Sequence, residues 1–149
     1  MTTLRSPRWC AAGLVALALA ASWASGVADA QGTGKVYYAS NDFKVVPLGG
    51  ADFEVVPRGG SSGPRYFCAA GDYARVRLNA PPAARVVVTK AEGRSAALGV
   101  RRSVGFTVVP QGAVTGGSAF TASVRKVGNN YSVAHARTMC PSGQPDFRS

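Results

Sequence analysis

The chain has 149 residues, with 17 Lys and Arg against 7 Asp and Glu and a single His, giving a formal charge of +10. One histidine is too few nitrogen ligands for a typical zinc centre. The positive excess bears on solubility and on attraction to anionic polymers or lipid headgroups, and says nothing of the fold.

At the start of the chain, Arg5 and Arg8 precede an apolar run from Cys10 to Ala24, and Ala28-Asp29-Ala30 follow. This pattern predicts a secretory signal peptide over residues 1–30, cleaved before Gln31. The run is shorter than the roughly 20 apolar residues that span a bilayer. No small-residue box precedes Cys10, so a lipid anchor is not expected. The expected mature protein is soluble, monomeric, and periplasmic or secreted. It would keep 119 residues, 15 of them basic and 6 acidic, which is the size of one ordinary domain.

Residues 31–50 are expected to be a leader that contains the first copy of a duplicated strand. Asn41-Asp-Phe-Lys-Val-Val-Pro-Leu-Gly-Gly50 is followed at once by Ala51-Asp-Phe-Glu-Val-Val-Pro-Arg-Gly-Gly60. The β-branched and aromatic residues of each copy suit a pleated sheet, and Pro and Gly-Gly end it. The second copy runs directly into the next element, so it is read as the native strand, with the folded domain beginning near Ala51. The first copy is read as an added edge strand or a loose leader. Asp52 and Glu54 stand at i and i+2, a spacing that paired catalytic carboxylates and an exposed polar strand face share. The exposed face is the reading adopted.

Pro64 suits the first turn of a helix. Phe67, Ala70, Ala74 and Leu78 recur on one face, Arg65, Asp72 and Arg75 on the other, and Asn79 and Pro81-Pro82 end the helix. Gly71 in the middle costs a helix roughly 1 kcal/mol against alanine, which points to another segment packing closely there, the second helix being the leading candidate. Strands are then expected over Arg85–Thr89, Ser103–Val109 and Ala119–Val127. Ser132 can cap a short helix running to Cys140, although Tyr131, Val133 and His135 also alternate as a strand would. Residues 51–141 would form one α+β domain, a small antiparallel sheet of about four strands with two helices on one face, and 142–149 a flexible tail.

Once a signal peptide is removed, Cys68 and Cys140 are the two remaining cysteines, without CxxC spacing, in a chain bound for an oxidising compartment. They are expected to form a structural disulfide. Asp52-Phe-Glu-Val55, the segment Cys68-Ala-Ala-Gly-Asp-Tyr-Ala74 and the late Cys140 resemble a group of uncharacterised small exported alphaproteobacterial proteins. That resemblance implies the same element order and disulfide and brings no activity with it.

No Gly-x-Ser-x-Gly elbow, metal cluster or cofactor motif is present, and no cofactor or metal is expected. The leading functional reading is therefore a non-enzymatic exported protein. It would bind an anionic envelope polymer, lipid headgroups or a protein partner through a basic surface of Arg75, Arg77, Arg85, Arg101 and Arg102. Specific nucleic-acid recognition is not expected, because residues 75–102 carry no stacking aromatics among the arginines. The alternative is a small exported hydrolase using His135 with a carboxylate.

Overall fold

The computed structural model describes residues 34–115 and 120–141. The expected signal peptide over 1–30 and the tail from Ser142 lie outside the described residues. The elements run β1 (Tyr37–Tyr38), β2 (Lys44–Gly49), β3 (Asp52–Val56), α1 (Gly63–Val76), β4 (Arg85–Gly93), β5 (Ser103–Val109), β6 (Asn130–Ser132) and α2 (Val133–Thr138). The chain is α+β, with six antiparallel strands in the order β1-β2-β3-β5-β4-β6 and two helices.

β3, β4 and β5 match three of the four expected strands; β2 is the first repeat copy, and β1 and β6 are short edge pieces. Tyr37 and Tyr38 pair with Val45 and Lys44, and Asn130 to Ser132 pair with Val87 to Arg85. Neither is long enough to give a periodic signal. The strand expected over Ala119–Val127 is not a strand in its described part: residues 120–129 are bends, turns and irregular backbone, and Phe120 is fully exposed. Its place at the β4 edge is taken by the residues just after it, because Gly128 N donates to Val88 O and Val88 N to Asn129 O, which aligns β6 instead.

Repeat copy one and copy two form a β-hairpin. Val45 faces Val55 and Pro47 faces Phe53. The Gly-Gly that closes copy one makes the turn: Gly49 and Gly50 have φ of 126° and 56°, a region closed to most side chains. The fold therefore begins upstream of Ala51, which sits inside this turn. Copy one is therefore the added strand beside copy two and not a loose leader, although β1 and not β2 is the sheet edge, and Phe43 and Val45 are fully buried in the same core as Phe53 and Val55. Asn41 fastens it to α1 by donating from Nδ2 to Arg65 O at 2.7 Å.

α1 lies on the sheet. Phe53, Phe67, Tyr73 and Phe106 form a chain of ring contacts with centroids 4.6 to 5.9 Å apart, and Phe67 also meets Tyr131 of β6 at 4.8 Å. Every residue from Tyr66 to Ala74 is buried. The expected two-faced helix is thus only half right: Arg75 is exposed but Asp72 is not. The other side of α1 is covered by α2 and by the segment before β2. α2 starts at its cap Ser132, whose Oγ accepts from His135 N at 3.2 Å, so the helix forms as expected but ends at Thr138, short of Cys140, and of the alternating Tyr131, Val133 and His135 only Tyr131 is in a strand.

Gly71 is the contact point between the helices. A methyl placed there would stand 2.8 Å from Ala136 Cβ and 3.0 Å from Arg137 N. One turn away, Cys68 and Cys140 form the expected disulfide, with Cα atoms 4.8 Å apart. No helix among the described residues is long and apolar enough to cross a membrane.

Candidate anion-binding groove

The five arginines singled out in the sequence are not one patch. Arg75 lines a cleft between α1 and α2 together with Arg137, Asp72, Ser40 and Cys140. Arg77 stacks over the Tyr37 ring at 5.3 Å. Arg85 donates from Nε to Asn130 Oδ1 at 2.8 Å, at the opposite end of the β4–β5 hairpin from Arg101 and Arg102. Spacing along the chain could not separate them, because strand pairing sends Arg85 and Arg101 to opposite ends of one long hairpin.

Arg101 and Arg102 do come together, and with new company. They enter a groove of about 540 Å³ that is also lined by Tyr38, Lys44, Val56, Pro57, Arg58, Gly59 and Val100. Its floor is built by the repeat. Lys44 and Val56 are directly opposed in the β2–β3 ladder, and Tyr38 is opposed to Lys44 on β1. Lys44 Nζ lies 5.9 Å from the centre of the Tyr38 ring. Arg102 Nη1 donates to Ser61 Oγ at 3.3 Å, which ties the far wall to the loop entering α1.

Four cations, Lys44, Arg58, Arg101 and Arg102, therefore line one concavity, and no carboxylate is among its lining residues. Lys44 and Arg58 were missed because each sits singly in a repeat copy. The signal available was that the copies differ just there: Lys44 stands where the second copy has Glu54, and Arg58 where the first has Leu48.

Behind the groove, the loop between β4 and β5 is held by Glu54. The sequence places this residue on an exposed strand face, but its side chain is only 1% exposed. Lys90 Nζ donates to Oε1 at 2.8 Å, Ser95 Oγ to Oε2 at 2.5 Å, and the backbone amides of Ala96 and Ala97 at 3.1 and 3.4 Å. Burial alone pushes this carboxyl upward, yet Lys90, Ser95 and the two amides outweigh it and hold it at about 2. Glu54 is thus ionised and fully engaged. Asp52 remains exposed, so the two acids do not act as a pair.

No family model, curated protein or solved structure matches this chain. His135 lies on the exposed side of α2 with its ring 5.0 Å from that of Tyr131. The nearby cleft is lined by Ala134, Arg137 and Thr138 of the same helix. The carboxylate in that cleft, Asp72, accepts at Oδ2 from the Tyr37 hydroxyl at 2.8 Å and from Ser40 N at 3.0 Å, which makes it an anchor for the chain before β2. Among the described residues, no group of three or more His, Cys, Asp or Glu has the arrangement of a metal site.

Proposed function

We propose that this is an exported, non-enzymatic protein that binds an anionic component of the cell envelope through the groove of Lys44, Arg58, Arg101 and Arg102. The observation that carries the reading is the convergence of four cations on one groove whose lining includes no acid. Guanidinium groups grip phosphate and carboxylate oxygens in pairs, and the groove has three of them beside one ammonium. An ordinary solvated basic surface intersperses its charges with acidic residues, whereas here the nearest carboxylate bonded to the groove wall, Glu92, stands outside the lining and meets Arg102 only through Ser61 Oγ, which donates to Glu92 Oε1 at 3.3 Å and accepts from Arg102 Nη1 at 3.3 Å.

The test is the salt dependence of binding to inorganic polyphosphate and to phosphatidylglycerol vesicles. Binding should weaken steeply as ionic strength rises from 0.02 to about 0.5 M, since screening shortens from tens of ångströms to a few. The Arg101→Ala/Arg102→Ala protein should bind both ligands at least tenfold more weakly. Binding that ignores salt, or that survives this change intact, removes the reading. The hydrolase alternative has no comparable observation in its favour.

A further inference from the structure

The connection between β4 and β5 is unusual for a solvent-facing loop. Ala96, Ala97, Leu98, Gly99 and Val100 are all exposed, in one unbroken run, and none has a polar side chain. Surface turns draw on Gly, Asn, Asp, Ser and Pro because these satisfy turn geometry and face water. A run of exposed residues without polar side chains is a liability unless something covers it. Leu98 and Val100 are 44% and 39% exposed, and Tyr38 beside Val100 in the groove is 46% exposed.

This tip is held in shape. Glu54 binds the amides of Ala96 and Ala97, Ser95 N donates to Val100 O at 2.8 Å, and Leu98 N donates to Ser95 Oγ at 3.0 Å. Arg94 closes the base by donating from Nη1 to Gly99 O at 3.1 Å. The loop is therefore rigid and displays Leu98 outward at low entropic cost on binding. Cations flank it on both sides: exposed Arg94 before, exposed Arg101 and Arg102 after.

We infer that residues Arg94 to Arg102, with Tyr38, Lys44 and Arg58, form a docking surface for an anionic lipid bilayer, with Leu98 and Val100 entering the interface. This rests on the reading that the groove takes anionic groups, and it names their source. A soluble polyanion satisfies the cations but leaves Ala96 to Val100 in water. A bilayer surface supplies negative headgroups and, a few ångströms deeper, hydrocarbon. Arginine and lysine stems can lie along that boundary with their charges in the headgroups, and tyrosine favours the same layer. Charge and apolar tip are complementary to this one partner together.

Partition into phosphatidylglycerol vesicles and binding to inorganic polyphosphate are measured for the full chain and for two variants. All three proteins carry the same residues 1–33, so a difference in partition between them reports on the substituted positions. Leu98→Ser/Val100→Ser should lower vesicle partition about tenfold, the scale of withdrawing two aliphatic side chains from an interface, and leave polyphosphate binding within twofold. Arg101→Ala/Arg102→Ala should lower both, vesicle binding by about fivefold or more per arginine. If the serine variant partitions as well as the unaltered chain while the alanine variant loses both ligands, the bilayer inference falls and the anion groove stands. If the alanine variant loses neither, both fall.

Discussion

The hydroxyl of Tyr37 donates to the carboxylate of Asp72 at 2.8 Å, across 35 residues of chain, so the segment before the repeat is bonded to the middle of α1. Phe43 reinforces the link, since its buried ring meets that of Tyr66 edge-on at 5.5 Å. Deleting Asn41–Gly50 should therefore abolish cooperative folding. The milder Phe43→Ala should cost about 3 to 5 kcal/mol, the usual loss for a large ring removed from a core. Urea unfolding measures both, and a deletion protein that still melts cooperatively would show the first copy to be dispensable.

Glu54 makes stability depend on acid. Its folded-state value is about 2 against an ordinary 4.5, so its contribution is fully present above pH 4.5 and is lost as pH falls from there toward 2. That shift corresponds to about 3 kcal/mol. The Glu54→Gln protein should be less stable at pH 7 by a similar amount, because Lys90 and the Ala96 and Ala97 amides lose their charged acceptor. It should also show a flatter stability profile between pH 4.5 and 2. Parallel profiles for the two proteins would contradict this assignment.

Gly71→Ala tests the helix contact. Propensity alone would stabilise α1 by roughly 1 kcal/mol, but the added methyl meets Ala136 Cβ at 2.8 Å, and overpacking of this kind costs about 1 to 3 kcal/mol. The expected net result is a lower melting temperature. A rise would mean that α2 moves aside freely.

Loss of the disulfide should be costly. Cys68 and Cys140 are separated by 72 positions, and in the chain-entropy treatment a loop of that size contributes about 4 kcal/mol. The Cys68→Ser/Cys140→Ser protein should unfold at a correspondingly lower denaturant midpoint. If its midpoint matches that of the oxidised protein, the packing of α2 through Gly71 and Ala136 alone holds the helix.

Local chemistry located β3, the Pro64 start of α1, the β5 strand and the Ser132 cap, and the cysteine count gave the pairing. The local elements are fixed by neighbours within a few residues, and the pairing follows from there being two cysteines in the described chain. Gly71 was legible too, because glycine in a helix that needs none marks a close approach. Tertiary structure decided what those signals cannot carry. Glu54 alternates along β3 just as an exposed residue would, and only Lys90 of β4 and the β4–β5 loop returning over it with Ser95 make that position buried. The four cations of the groove come from β2, from the loop after β3 and from the entry to β5. Antiparallel pairing of the repeat and the sheet order set their distances from one another. The duplicated segment shows both limits: its strand character is written in Phe, Val and Gly-Gly, and its place in the core follows only from the hairpin it makes with its own copy.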